Sequence, residues 1–405
     1  MHFFSRIILL LVSDFRYTSR AFLTLLIFIV LSGPALAQKK QSFEELYGED
    51  AQCYNRKREG YWSKVDSHNH FRPFGGNVIP FAELMTYFNK SGVHFINAYG
   101  IGQTLPSNGD CAYYLDCPGT AVTPSLRNDF VNAANYLEYQ GPNSIKKIKD
   151  PFEGEDKLNL VLSMTFPDLA NPERITEYIA LLDREYPEQF KWMGEVNLVK
   201  QALFPNMQYG ANLENIKDWA PFMEILRNRD MPINIHSDIG NDTTNMTTKY
   251  LYLMEDVLER YTDNKIVWSH MGLSKELTKI GADEHIDILK RLLGKHPNLT
   301  LDLSWDVLWN NVFKYKDKRD KYLTFINAYP TRFITGTDFV ASRKGKKYET
   351  YEEAVEVTSR INCEMSDEAF RNIALGQNYF DLLGLPFTAP DICEFQGKRR
   401  CKYKD

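Results

Sequence analysis

A few strand ends in this sequence carry the residue types that could do chemistry. Asp66-Ser67-His68-Asn69-His70 sets two histidines two residues apart. In a β-strand such residues face the same side, so His68 and His70 point together and can share one cation. In Lys191-Trp192-Met193-Gly194-Glu195-Val196-Asn197, the residues Trp192, Gly194 and Val196 alternate with Glu195 and Asn197. The alternation sends the carboxylate and the amide to one face and the tryptophan to the other. Ile233-Asn234-Ile235-His236-Ser237-Asp238 repeats the pattern, with an apolar face and a polar face. Ile266-Val267-Trp268-Ser269-His270 ends in a histidine and Ile334-Thr335-Gly336-Thr337-Asp338-Phe339 carries an aspartate near its end. Taken singly, each has a plain structural reading: a satisfied core histidine, or an aspartate that caps the next helix. Taken together, imidazole and carboxylate donors that close successive strands form a donor set for zinc, manganese or iron.

The elements that must position them follow from hydrophobic patterning. Eight β-like runs are legible: Trp62–Phe71, His94–Tyr99, Leu158–Phe166, Lys191–Leu198, Pro232–Asp238, Lys265–Met271, Leu299–Trp305 and Arg332–Phe339. Amphipathic stretches such as Pro172–Glu185, Ala211–Arg229, Thr248–Tyr261 and Ile286–Lys295 separate them. Such alternation predicts parallel βαβ units, and eight of them predict a closed (β/α)8 TIM barrel, with a doubly wound sheet as the alternative. A barrel of this kind keeps its active site at the C-terminal ends of its strands, where the histidines fall. The loop Ile101 to Pro124 is long and rich in Gly, Pro, Asp and Cys, which suits a pocket wall or lid. The expected organisation is a signal peptide over 1–37, an N-terminal extension over 38–60, the barrel over 61–388 and a disulfide-stapled C-terminal tail over 389–405.

These residues resemble the amidohydrolase superfamily, in the branch called amidohydrolase-related or amidohydrolase 2. The resemblance runs from Trp62 to Leu385. Its carriers are the His68-Asn69-His70 strand end, Gly194-Glu195, Ile235-His236, Ser269-His270-Met271-Gly272 and Gly336-Thr337-Asp338. Ile373 to Phe380 resembles the helix that closes many members, with Gln377 inserted where they read Gly-Asn-Ala. The resemblance implies a divalent metal, zinc first, held by His68, His70, His236 and Asp338. It implies His270 beside the metal and Asp338 as general base and then general acid. A carboxylated lysine, the bridge between two metals in some relatives, is not expected, because Lys191 lies four residues before Glu195 and deeper in the strand. Glu195 is the candidate bridge in its place, so the metal count is one or two. Candidate substrate contacts, from their places at strand ends, are Arg72, Asn69, Asn197, Asp238, Asp302 and Trp305. Arg72 would suit a carboxylate or phosphate.

The remaining composition narrows the setting. The chain has 405 residues, 43% of them hydrophobic and 25% charged, with a net charge of −5, so bulk electrostatics point away from a nucleic-acid partner. Arg16 and Arg20 precede the apolar run Ala21 to Leu31, then Ser32-Gly33-Pro34 and Ala35-Leu36-Ala37, the order of a secretory signal peptide cleaved near Ala37. The run falls short of the ~20 residues of a membrane span, so no stable anchor is expected. The setting is then secreted or periplasmic. Six cysteines lie after the cleavage site, an even count that favours disulfides in an exported chain. Local pairs, Cys111 with Cys117 and Cys393 with Cys401, would leave Cys53 with Cys363. The expected function is metal-dependent hydrolysis of an amide, ester or lactone of a small organic molecule. The alternatives are a non-oxidative decarboxylase or hydratase on the same site, or a metal- or ligand-binding barrel without catalysis. Oligomeric state is not legible.

Overall fold

The computed structural model describes residues 41–42, 53–57, 60–106, 111, 113–140, 158–343, 346–394 and 401. The sheet and helices belong to the unit Ser42–Asp405. The signal peptide expected over 1–37 and the basic run Lys398-Arg399-Arg400 lie outside the described residues. Among the described residues no helix is long and apolar enough to cross a membrane.

A parallel sheet organises this unit. Its strands are β1 Val65–His70, β2 Phe95–Tyr99, β3 Asn159–Met164, β4 Phe190–Val199, β5 Ile233–Ser237, β6 Ile266–Trp268, β7 Leu299–Asp302, β8 Phe333–Ile334 and β9 Phe339–Val340. Neighbouring strands follow sequence order from β1 to β8, while β9 lies beside β1. The expected eighth run is thus two short strands. β8 pairs with β7 through Leu301–Phe333, and β9 pairs with β1 through Phe339–Asn69. One segment, Phe333 to Val340, therefore touches both ends of the sheet and gives it a TIM-barrel-like course. Its crossing is pinned by Ser67 N to Thr335 O at 3.0 Å and Asp338 N to His68 O at 2.8 Å. Gly336 makes the crossing possible, because a Cβ there would stand 2.7 Å from the backbone nitrogen of His68.

Long helices follow the strands: α1 Phe81–Ser91, α2 Arg127–Gln140, α3 Ile175–Glu185, α4 Ala220–Asn228, α5 Leu251–Arg260, α6 Ala282–Lys295, α7 Lys316–Ala328 and α8 Tyr348–Ser359. Each buries one stripe, as α6 does with Ile286, Leu289, Leu292 and Leu293, against strands that are buried on both faces, as parallel strands are. Asp66 fastens the seam between β1 and the crossing. Its buried carboxylate accepts from Thr337 N at 2.8 Å, Thr337 Oγ1 at 2.7 Å, Asn69 Nδ2 at 2.8 Å and Tyr351 of α8 at 3.1 Å. Burial raises the Asp66 pKa and these bonds oppose the rise.

The three disulfides pair Cys53 with Cys393, Cys111 with Cys117 and Cys363 with Cys401. The local pair in the loop after β2 is as expected. The other two correct the sequence reading, which paired Cys393 with Cys401 and Cys53 with Cys363. The reason is tertiary. Tyr54 runs beside the tail, with Tyr54 N bonded to Asp391 O at 2.7 Å and Cys393 N to Tyr54 O at 3.1 Å. That alignment sets Cys53 against Cys393, Cα atoms 4.9 Å apart, and leaves Cys401 for Cys363 at the end of α8. The tail is stapled twice, once to the N-terminal extension and once to the helical layer.

Candidate metal centre

The C-terminal strand ends converge on one buried cluster. His68 Nε2 lies 3.2 Å from His70 Nε2 and 3.4 Å from Asp338 Oδ1, and His70 Nε2 lies 3.2 Å from the same oxygen. His236 Nδ1 lies 2.5 Å from Glu195 Oε1, and His270 Nε2 lies 3.6 Å from that oxygen. Glu195 Oε2 turns back toward His70 Nε2 at 3.6 Å. Ligand atoms of three overlapping groups lie within metal-sharing reach of one another: His68, His70 and Glu195; His68, His270 and Asp338; Glu195, His236 and His270. All six expected donors and catalytic residues are therefore together. His236 sits with Glu195 and His270, rather than directly with the His68, His70 and Asp338 corner.

The outer side of each imidazole is also occupied. His68 Nδ1 donates to Asp302 Oδ2 at 2.7 Å, His70 Nδ1 to Gly100 O at 2.8 Å, His270 Nδ1 to Ser304 O at 3.2 Å, and His236 Nε2 to Asp238 Oδ1 at 3.1 Å. A committed outer N–H holds each ring in a fixed orientation with its other nitrogen toward the cluster. The surrounding carboxylates favour positive charge there. Burial would lower the His68 pKa, but Asp302, then Asp338 and Glu195, lift it to about 9. Burial would raise Asp338; the hydrogen bond from His70 and the charges of His68 and His270 hold it below the usual carboxylate range. Glu195 is likewise held low against its burial, by Lys200 and then His236. The centre is anionic and demands positive charge.

Three of these positions use unusual backbone. His270, Trp305 and Asp338 have φ of 53°, 86° and 56°, in the left-handed region that non-glycine residues rarely enter. β6 ends at Trp268, before His270, and a tight turn over Ser269–Gly272 turns the histidine inward. Such strain costs ~1–3 kcal/mol per residue and gathers at functional sites.

Two residues expected to contact substrate sit behind histidines. Asp302 is fully buried behind His68, where it also accepts from Ser304 N and Ser304 Oγ at 2.7 Å each. Asp238 is 2% exposed and accepts from His236 and from Gln201 N at 2.7 Å. Both are spent on orienting a histidine. Asn69 is buried and donates to Asp66 at 2.8 Å. Asn197 donates to Gln103 Oε1 at 2.6 Å, and its own carbonyl oxygen has no partner among the described residues. The Trp305 ring packs 5.0 Å from that of His270. Arg72 is half-buried and makes no ion pair among the described residues, and burial and Arg127 lower its pKa. Lys191 is exposed at the far end of β4, so it cannot reach the centre.

Sequence reasoning missed two residues. Ser304 touches both His68 Nδ1 at 3.1 Å and His270 Nδ1 at 3.0 Å; its position two residues after Asp302 was a signal. Lys200 donates to Glu195 Oε2 at 2.8 Å, and nothing in strand parity marks it, since it lies just past β4. Phe74, Ile101, Leu105, Cys111, Tyr114, Val122 and Leu203 form a small apolar cluster of their own, apart from the main core.

The family model for Amidohydrolase matches residues 169–376, just over half of the chain. The chain belongs to the amidohydrolase family, and it is an enzyme of the hydrolase-like kind. The β1 histidines precede the matched stretch, and the fold brings them to it. An amidohydrolase from Burkholderia multivorans with bound zinc is similar at 15% identity and TM-score 0.47, over 80% of this chain and 99% of that one. A putative 2-pyrone-4,6-dicarboxylic acid hydrolase from Pseudomonas putida is similar at 13% identity and TM-score 0.47, over 80% and 98%. A dihydroorotase from Campylobacter jejuni is similar at 11% identity and TM-score 0.43, over 80% and 84%. No curated protein matches the sequence.

Proposed function

We propose that this chain is an exported, metal-dependent hydrolase that cleaves an amide, ester or lactone bond of a small organic molecule. In this reading 1–37 is a leader that is removed, 61–388 is a (β/α)8 catalytic barrel, and 38–60 and 389–405 are its stapled flanks. The observation that carries the reading is the set of four histidines. Each gives its outer nitrogen to Asp302, Gly100, Asp238 or Ser304, and its inner nitrogen to a centre shared with Glu195 and Asp338. Imidazole and carboxylate suit zinc, with manganese or iron as substitutes. His68, His70 and Asp338 would hold one cation. Glu195, His236 and His270 offer the ligands for a second.

A divalent cation supplies Lewis acidity and makes hydroxide available near neutral pH. The chain supplies the rest. Asp338, charged and beside both β1 histidines, accepts a proton at Oδ2 or Oδ1 and returns it to the leaving group. His270, held by Ser304, aims Nε2 at the space beside Asp338 Oδ2, 3.9 Å away, where it can polarise a substrate carbonyl. Trp305, its ring 5.0 Å from that of His270, would cover one side of the histidine and limit water there. Arg72, which makes no ion pair among the described residues, would take an anionic substituent of the substrate.

The test is to purify the mature chain without chelators, count its metal and screen lactones, esters and amides. Wild type should carry at least one divalent ion per chain. The variant His68→Ala, His70→Ala should lose that ion and the hydrolysis together while staying folded. A folded wild type that neither holds nor takes up a divalent ion would end this reading. Release of carbon dioxide or addition of water, in place of bond cleavage, would keep the site and replace the reaction.

A further inference from the structure

Lys200 brings an ammonium group into the metal centre. Its side chain is 13% exposed and Nζ donates to Glu195 Oε2 at 2.8 Å. The backbone that carries it is fixed, because the next residue, Gln201, gives its N–H to Asp238 Oδ2 at 2.7 Å. The centroid of the Phe74 ring lies 6.0 Å from Nζ.

The two oxygens of Glu195 have different neighbours. Oε1 faces His236 Nδ1 at 2.5 Å and His270 Nε2 at 3.6 Å. Oε2 faces His70 Nε2 at 3.6 Å and the Lys200 ammonium. A carboxylate that links two cations gives one oxygen to each, so linkage requires Oε2 for the His68, His70 and Asp338 corner. His68, His70 and Asp338 already stand within 3.4 Å of one another there without Glu195. Among the described residues, the group that includes His236 is completed by His270 and Glu195. The ammonium competes for the linking oxygen. It also places a fixed positive charge against any second ion that Glu195 would share.

We propose that Lys200 is a built-in cation that occupies the linking oxygen of Glu195 and holds the centre to one firmly bound divalent metal. The proposal rests on the metal-dependent reading above and adds the number of metals and the residue that sets it. Lys200 acts through Glu195, so it is a positioning residue.

The test uses the full mature chain loaded with Mn2+. Ions per chain are counted after gel filtration, the affinity for a second ion is measured by titration, and frozen samples are examined by electron paramagnetic resonance. Wild type should retain one Mn2+ with an uncoupled signal. Lys200→Met should bind a second Mn2+ at least tenfold more tightly than wild type and show an exchange-coupled spectrum. Lys200→Arg, which keeps the charge, should behave as wild type. Lys200→Gln, which keeps a hydrogen-bond donor without the charge, should follow Lys200→Met and serves if the methionine variant does not fold. Two firmly held, coupled ions in wild type would overturn the Lys200 proposal and leave the hydrolase reading intact. So would a second-ion affinity within twofold of wild type in the uncharged variants. No divalent uptake by folded wild type would overturn both.

Discussion

His68 and His285 are equally buried, yet they stand in opposite electrostatic worlds. Both are 0% exposed. Within the ring of strand ends, burial should drive the His68 imidazole toward neutrality, but Asp302 at 2.7 Å, with Asp338 and Glu195, raises its pKa to about 9. His285 lies on α6 in the layer between helices and sheet, and burial lowers it to about 4. Its partners are neutral: Nε2 donates to Met271 O at 2.9 Å and Nδ1 accepts from the Tyr322 hydroxyl at 2.6 Å. Burial is the same in both places, so the neighbouring carboxylates make the difference. The strand-end region is built to hold positive charge. The helix-sheet layer is built to exclude it, and there the histidine serves architecture. Through Met271 it braces the turn that presents His270.

The largest way to break this contrast is to remove the carboxylate that does chemistry. Asp338→Asn should lower turnover ~10²–10⁴-fold on whichever ester, lactone or amide the wild type cleaves, the usual worth of a positioned acid–base group. Circular dichroism should show an unchanged fold, since the side chain does not brace the seam that Asp66 closes. Turnover within tenfold of wild type would remove Asp338 from the proton-transfer role.

How much of this was legible in sequence depends on the kind of information each feature needs. Strands were legible, because alternation reports faces directly; Glu195 and Asn197 do share the inner face of β4, and His68 and His70 do point together. Depth was not legible. Parity put Asp238 and Asp302 on the polar face, but it could not show that they sit behind the histidines rather than in front. The turns were not legible either. His270 and Asp338 point inward through left-handed backbone, where strand parity no longer applies, so their roles rested on resemblance. Lys200 lies past the end of its strand, and only the fold shows that it reaches back five residues to Glu195. The disulfides failed for a related reason: Cys53 and Cys393 are 340 residues apart and meet only because the two ends of the unit run side by side.

A smaller perturbation would make His68 more like His285. Asp302→Asn keeps the shape and an acceptor for His68 Nδ1 but removes the charge behind the ring. Metal affinity should fall ~10–100-fold, the common cost of losing an outer-shell carboxylate partner. Metal-buffered titration of wild type and variant reads this directly. An unchanged affinity would mean that orientation by Asp302, and not its charge, is what the centre uses.

The smallest effect tests the other half of the contrast. His285 is neutral in the fold down to a pKa of about 4, whereas an unfolded histidine takes up a proton near 6.5. Above pH 6.5 both states leave it neutral, and it adds no pH dependence. As pH falls from 6.5 toward 4 only the unfolded chain gains the proton, so stability is lost through that window. Between pH 7 and pH 5 the loss should be roughly 1–2 kcal/mol. Asp129 works in the opposite direction. Burial raises its pKa to about 7 against the hydrogen bonds from Thr165 and Phe166, so its contribution is present at low pH and is lost as pH rises from about 4 to 7. The two must be separated by difference. Denaturant unfolding of wild type and His285→Gln at both pH values isolates the histidine, because Asp129 is common to both proteins. Wild type should lose more stability on acidification than the variant by that ~1–2 kcal/mol. Equal losses would show that His285 takes up its proton in the fold as readily as in the unfolded chain, and that the helix-sheet layer tolerates the charge it was argued to exclude.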